Sequence, residues 1–187
     1  MDPQHILIPI HAVAASFVIL VGPVNFLRRR KDAAHRLLGR TFAVMMYFVC
    51  VSGLFIYADG AFTVFHALAI ITLITTTLGI RAILRGNVRA HVANMIGSWT
   101  GTVVAGTFAA TFPGRAIPSL AIGDPALFWT IVAAVVAATT LWVAAVLSPP
   151  ARRALDARAR ERAALKRAAS RAANADSVPE VAGAPGQ

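Results

Sequence analysis

The sequence predicts an all-α protein, a polytopic membrane helix bundle with five transmembrane helices, an outside N-terminus and a cytoplasmic C-terminus (N-out/C-in). Three observations support this fold class. The 187 residues are 57% hydrophobic and only 14% charged, a more apolar composition than soluble domains have. Five apolar runs are long enough to cross a hydrocarbon core, which takes about 20 helical residues. The cations are concentrated in alternate connections between these runs.

The five predicted spans are separated by short connections that contain turn and helix-breaking residues, such as Asp59-Gly60 between the second and third spans. Pro149-Pro150 ends the fifth span. We expect one transmembrane domain over residues 1–148, with a four-helix core made of two repeated helical hairpins. The spans cover residues 6–27, 37–58, 62–83, 91–112 and 126–147, the hairpins cover 6–58 and 62–112, and 126–147 is the extra helix.

The positions of the cations predict the orientation. The first connection, the third connection and the C-terminal segment contain clusters of Lys and Arg, whereas the second connection has none and the fourth has only Arg115. Positively charged segments stay on the cytoplasmic side. We therefore expect the N-terminus outside. The clustered cations of the connections are Arg28, Arg29, Arg30, Lys31, Arg36, Arg40, Arg81, Arg85 and Arg89.

The C-terminal segment is basic and predicts a cytoplasmic helix over residues 149–173, lying at the membrane surface or fully solvated, followed by a disordered tail over 174–187. The formal net charge of the chain is +10. Because the cations flank membrane spans and accompany no nucleic-acid-reading module, we expect contact with anionic lipid and no nucleic-acid partner. The single cysteine, Cys50, excludes an intrachain disulfide.

The histidines follow the repeat of the two hairpins. His11 and His35 are 24 positions apart, and His66 and His91 are 25 apart. Each hairpin therefore has one histidine near the outer end of its first helix and one where its second helix leaves the cytoplasmic side. If each depth-matched pair lies across a diagonal of the bundle, His11 faces His66 and His35 faces His91.

Paired histidines at two depths are typical of haem ligation. Haem iron takes an axial imidazole on each face, and helix bundles supply such ligands from facing helices. We expect His11, His66, His35 and His91 to be metal ligands of one or two b haems. Arg36 and Arg40 are expected to bind the anionic propionates. Duplication of a packing motif is the alternative explanation of the pattern.

The stretch from His11 to about Phe112 resembles an uncharacterised bacterial membrane-protein family, the YozB-like domain of unknown function. The resemblance rests on the early histidine, Gly22-Pro23, the basic turns and the segment 35–40. It implies a multi-pass protein of the bacterial inner membrane. The histidine order is also similar to that of the ascorbate-reducible di-haem cytochromes b, although Val92 stands where those have an arginine and the spans number five rather than six.

The leading functional prediction is therefore a haem b membrane cytochrome that transfers electrons from a quinol or small reductant, which leaves open whether the protein is an oxidoreductase enzyme. The main alternative is a cofactor-free membrane protein that binds lipid or a partner membrane subunit. A transporter is a weaker alternative, because no Asp or Glu lies within the spans. No catalytic constellation is expected.

Overall fold

A computed structural model describes residues 4–57 and 62–176, with side chains up to residue 171. Throughout these residues the regular structure is helical, and no strand is present. The prediction of an all-α fold is confirmed. The helices are α1 (Gln4–Leu27), α2 (Ala33–Leu54), α3 (Val64–Leu84), α4 (Val88–Thr111), α5 (Ala116–Gly123), α6 (Pro125–Leu147) and α7 (Pro149–Asp176).

Side-chain caps begin three of the long helices. The side chain of Asp32 accepts the backbone N–H of His35 at 3.0 Å at the start of α2. Asn87 accepts the N–H of Ala90 at 3.0 Å before α4, and Asp124 caps α6 in the same way. These oxygens satisfy amide donors that have no partner inside the helix. They fix the start of each helix close to its predicted place.

Helices α1 to α4 form a four-helix bundle in which each helix packs against its neighbours along the chain. α1 packs against α2 and α4, and α3 packs against the same two helices. Consequently α1 lies diagonally opposite α3, and α2 lies diagonally opposite α4. This is the arrangement that the predicted pairing of His11 with His66, and of His35 with His91, requires.

The centre of the bundle is filled by apolar side chains. Val18, Val21, Phe42 and Met46 are at most 2% exposed and belong to one hydrophobic cluster. Such cores are packed as densely as organic crystals. The centre therefore separates the two ends of the bundle, which contain the histidines.

A close contact between α1 and α4 depends on Gly22-Pro23. Pro23 has no N–H, so the carbonyl of Ile19, four residues earlier, lacks its usual helical donor. The indole Nε1–H of Trp99 donates to this carbonyl at 3.0 Å. A Cβ on Gly22 would lie 2.3 Å from Cδ1 of Trp99, so only glycine leaves room for the indole ring.

Four of the described helices, α1, α2, α3 and α6, are long and apolar enough to span a membrane. They correspond to four of the five predicted spans, and the protein is a helical membrane protein. α4 is also long, with 24 residues, but polar residues such as Asn94, Ser98 and Thr102 reduce its hydropathy. Whether α4 forms the fifth span, and which end faces outward, stay predictions.

The C-terminal part differs from the sequence-based expectation in two details. The connection between the fourth and fifth predicted spans contains an unpredicted short helix, α5. α7 follows α6 after Ser148 alone and extends to Asp176. Residues 174–176, predicted to be disordered, are therefore helical, and 177–187 lie outside the described residues. Leu155 on α7 packs with Ala34 and Leu38 of α2, which holds α7 against the bundle.

Candidate histidine sites at the two ends of the bundle

We call the end of the bundle where α2 finishes and α3 begins the outer end, and the opposite end the inner end, following the predicted orientation. At the outer end, Nδ1 of His11 lies 2.8 Å from Oγ of Ser52 on α2. The Ser52 hydroxyl donates to the carbonyl of Phe48 at 2.7 Å, so its oxygen accepts from His11. The proton of His11 is thus on Nδ1, and Nε2 presents a lone pair.

The second outer histidine, His66, is 2% exposed and has the opposite tautomer. Its Nδ1 accepts the backbone N–H of Thr63 at 3.1 Å and also lies 2.9 Å from the Thr63 hydroxyl oxygen. Because a neutral imidazole that accepts at Nδ1 is protonated at Nε2, the Nε2–H of His66 is a donor. That atom is buried and has no hydrogen-bond partner within the described part of the chain.

Two aromatic rings flank His66. The ring centroid of Tyr57 lies 5.1 Å from that of His66, and the centroid of Phe62 lies 4.9 Å from it. The neighbouring Phe65 ring carries the guanidinium of Arg115 at 4.7 Å from its centroid. Among the described residues, the outer end therefore has aromatic rings around the unsatisfied Nε2–H donor of His66.

At the inner end, Nδ1 of His91 lies 2.9 Å from the carbonyl oxygen of Gly79. A carbonyl can only accept, so the proton is on Nδ1 and Nε2 is free. This is the arrangement that metal-ligating histidines have, since the second nitrogen donates to a backbone oxygen and orients the ring. A Cβ on Gly79 would lie 2.4 Å from Cε of Met95, so glycine also permits the close approach of α3 and α4 at this level.

His35 is the diagonal counterpart of His91 and is half-buried. Its Nδ1 is buried and has no hydrogen-bond partner among the described residues. His35 lies near the start of α2 and His91 near the start of α4, so both are at the inner end on diagonally opposed helices.

Two arginines with buried Nε atoms at the inner end, Arg28 and Arg152, were not predicted as site residues. Nε of Arg28 and Nε of Arg152 are buried and unpartnered within the described residues. Arg28 also binds Asp32 through an ion pair, and Arg152 lies on α7, which packs against α2 beside His35. The sequence shows both as members of cationic runs, and nothing local distinguishes them from the neighbouring arginines.

Asp32, the acidic residue of this ion pair, lies outside the candidate membrane spans. Burial of Asp32 acts to raise its pKa, but the backbone N–H of His35 and the guanidinium of Arg28 together outweigh burial and hold the pKa of this carboxyl below its ordinary value. Asp32 therefore stays ionised and capped to α2 well into the acidic range.

The two predicted arginine partners lie on the surface of α2. Arg36 and Arg40 are both exposed. Arg36 lines a groove of about 400 Å³ between α2 and α7, together with Asp156 and Arg160. The described contacts give neither arginine a hydrogen bond to a histidine. Of the cations at this end, Arg28 and Arg152 are the ones with buried, unused donors.

A histidine can hold a haem iron only through a ring nitrogen whose lone pair is free. His91 and His11 leave Nε2 bare, and His35 has an unpartnered nitrogen, so these three fit. His66 does not fit in the described conformation, because its Nε2 holds the proton and its Nδ1 is used by Thr63. No cluster of three or more His, Cys, Asp or Glu residues that could hold a metal ion occurs in residues 4–57 and 62–176, whereas a bis-histidine haem takes two.

Comparison with known proteins gives one match. Residues 8–148 match the family described as "Predicted membrane protein (DUF2306)". No curated protein and no solved structure matches the chain. The comparison thus supports an uncharacterised membrane-protein family, as expected from the sequence, but it lends no support to the YozB-like family or to the similarity with cytochromes b. Since the match includes α1 to α4 and α6, the chain belongs to the DUF2306 family of predicted membrane proteins.

Proposed function

We propose that this membrane protein transfers electrons through a b haem held at the inner end of the bundle by His35 and His91. The observation that carries the proposal is the state of the two imidazoles. The Nδ1–H of His91 donates to the Gly79 carbonyl, which leaves Nε2 free, and Nδ1 of the diagonally opposed His35 is buried without a partner. Two such nitrogens on facing helices suit an iron with an axial ligand on each face.

The neighbouring charges support the same site. Haem propionates are anionic and need cationic hydrogen-bond donors near the water interface. Arg28 and Arg152 have buried Nε–H groups without acceptors, and they lie on elements that pack around the start of α2. We assign them as propionate partners in preference to the exposed Arg36 and Arg40.

A haem bound there would supply one-electron transfer, and the protein residues would position and tune it. The Gly79 carbonyl fixes the ring plane of His91 and raises its basicity. Asp32 caps α2 through the N–H of His35 and so fixes the backbone that carries the opposing ligand. With His35 and His91 both as ligands, the site would favour electron transfer over oxygen binding.

A second haem at the outer end, between His11 and His66, would require a change at His66. Its Nε2–H would have to lose the proton, and Nδ1 would have to give up the N–H of Thr63. The proposal therefore assigns one haem per chain at the inner end. We further propose that α4 is the fifth crossing of a bacterial inner membrane, with the N-terminus outside, because α4 completes the bundle against α1 and α3.

The test is an absorption spectrum of detergent-purified protein, oxidised and then dithionite-reduced, with haem quantified per chain after expression with ample haem supply. We expect a b-type spectrum with about one haem per chain. His91→Ala and His35→Ala should each abolish it. His5→Ala is the matched control, since His5 is an exposed histidine of α1, and it should retain full haem content.

Two results would contradict the proposal. A colourless wild-type protein would rule out haem binding altogether. Two haems per chain, with one lost in His66→Ala, would replace the single inner site with the two-haem arrangement.

A second function is favoured by a different observation, the exposed basic face of α7. Every described side chain from Glu161 to Arg171 is exposed, and six of the eight cations of this helix lie beyond Ala157. Clusters of this kind beside a membrane span bind anionic lipid. If the haem test fails, stronger binding of the protein to anionic than to neutral vesicles, lost when the α7 arginines are replaced by glutamine, would support a lipid-binding role.

A further inference from the structure

We propose that the outer end of the bundle binds the ring of a quinone-type lipid through the Nε2–H of His66 and the Nε2 lone pair of His11. The inference goes beyond the proposed function, because the binding requires neither a haem nor an electron-transfer step. No contact already described uses either of these two nitrogens.

The first of the two polar groups, on His66, is a buried donor. The Nε2–H of His66 is buried in a residue that is 2% exposed, and it has no acceptor among the described residues. Burying an N–H without a partner is unfavourable. Thr63 holds the proton on this nitrogen through its contact with Nδ1, so the ring cannot relieve the cost by changing tautomer. A ligand oxygen would supply the missing acceptor.

The second polar group has the opposite character. The Nδ1–H of His11 donates to Ser52, so its Nε2 can accept a hydrogen bond. His11 lies on α1 and His66 on α3, diagonally opposed. Both contact the end of α2, His11 through Ser52 and Gly53 and His66 through Tyr57. A quinol offers an acceptor oxygen and a hydroxyl donor across one ring, which matches a donor and an acceptor on facing helices.

The surroundings indicate a flat, membrane-dissolved ligand. Tyr57 and Phe62 flank the His66 ring and are 50% and 66% exposed, so a planar ring can stack where they now lie. Ligand sites combine apolar and aromatic walls with a few placed polar groups. The adjacent Phe55 and Val64 are 60% and 75% exposed at the ends of helices that are apolar enough to span a membrane. A water-soluble reductant would find few polar partners there.

The experiment measures binding without electron transfer. Purified His91→Ala protein, which should lack haem, is reconstituted in lipid nanodiscs and labelled under anaerobic conditions with a photoreactive azido-ubiquinol, and decylubiquinol competes for the label. We expect saturable labelling of the outer end. Labelling that an excess of decylubiquinol does not diminish would overturn the proposal.

Two substitutions of His66 separate ligand binding from helix capping. His66→Gln keeps an amide N–H near the position of Nε2, whereas His66→Asn keeps an acceptor near the position of Nδ1 for Thr63 but removes the Nε2–H. We expect His66→Asn to weaken binding of the quinol about tenfold, the effect of losing one hydrogen bond, and His66→Gln to bind within about threefold of the parent.

His5→Ala on the same helix end as His11 should bind like the parent, because His5 is exposed. Equal binding by the parent and His66→Asn, or equal losses in His66→Asn and His66→Gln, would overturn the role of the Nε2–H. The haem and quinol results are independent. Failure of the proposed function would appear as a colourless parent protein, and failure of this inference as unsaturable labelling.

Discussion

The two ends of the bundle have the same histidine arrangement, yet they differ in chemistry. Each end has two histidines on diagonally opposed helices. At the outer end, His11 donates from Nδ1 and His66 accepts at Nδ1, so the two free nitrogens have opposite hydrogen-bonding character. At the inner end, His91 leaves Nε2 bare and Nδ1 of His35 is unpartnered.

The difference arises from single neighbouring groups. A serine hydroxyl, a backbone N–H and a backbone carbonyl fix the tautomers of His11, His66 and His91. The same histidine pattern can therefore serve hydrogen bonding to a ligand at one end and metal ligation at the other. Histidine spacing indicates where a site lies, whereas the hydrogen-bond partners decide which chemistry it supports.

The largest expected effect is that of Gly22→Ala, at the contact between α1 and α4 beside the central hydrophobic cluster. Its Cβ would lie 2.3 Å from Trp99, so the indole must move and give up its bond to the Ile19 carbonyl. We expect a loss of about 2–3 kcal/mol in the free energy of unfolding, measured by thermal unfolding in detergent.

The matched control is Gly97→Ala. A Cβ at this position would have no atom within 4 Å, so the substitution should be neutral or should stabilise the fold by about 0.5–1 kcal/mol. In a Trp99→Ala background, Gly22→Ala should cost far less. Equal costs in both backgrounds would show that the indole contact is not the cause.

A smaller change, Ser52→Ala, tests the outer end. Ser52 is 5% exposed and provides the acceptor for the Nδ1–H of His11, so its loss leaves a part-buried donor unpaired. We expect a destabilisation of about 1–2 kcal/mol with unchanged haem content. Ser16→Ala is the control, because Ser16 donates only to Ala12 of its own helix. A loss of haem in Ser52→Ala would contradict the separation of the two ends.

The smallest expected effect is that of Asp32→Ala at the inner end, about 1 kcal/mol at pH 7 from loss of the cap. The folded state lowers the pKa of Asp32 from its ordinary value of 3.8. The ionised carboxylate therefore stabilises the fold above about pH 4, and this contribution is lost as the pH falls through the lowered pKa. The difference in unfolding temperature between wild type and variant should shrink accordingly.

Asp124→Ala is the matched comparison, since Asp124 caps α6 at 2.9 Å and belongs to no ion pair among the described residues. Its effect should be similar in size at pH 7. An Asp32→Ala effect that is constant from pH 7 to below pH 3 would contradict the role of the charge.

The sequence predicted much of this fold because the signals involved are local. Apolar length identified α1, α2, α3 and α6, and the cap residues Asp32 and Asn87 begin helices close to their predicted starts. The repeat of the histidines anticipated two hairpins whose helices are diagonally opposed in the expected pairs. The short α5 was missed because its eight residues lie between Pro113-Gly114 and Asp124-Pro125, which indicate only a loop.

The chemistry of the sites was less predictable because it depends on contacts between distant residues. Nothing in the sequence indicates that the backbone N–H of Thr63 donates to Nδ1 of His66, or that Nδ1–H of His91 donates to the carbonyl of Gly79. One contact could be predicted in part from the sequence. Pro23 always frees the carbonyl of Ile19, so a donor for that oxygen could have been sought, although its source, Trp99, is 80 positions away. The burial of Nε in Arg28 and Arg152 depends on tertiary packing, which the cationic runs do not indicate.

The length of α7 has a consequence for how the tail can vary. Leu155 contacts α2 next to the inner histidines, and at 1.5 Å per residue Lys166 and Arg171 lie about 16 and 24 Å farther along the helix. Charges are largely screened beyond about 10 Å at 0.1 M ionic strength. The distal cations can therefore be gained, lost or neutralised with little effect on the electric field at the inner end of the bundle, so the tail and the bundle are free to evolve as separate modules.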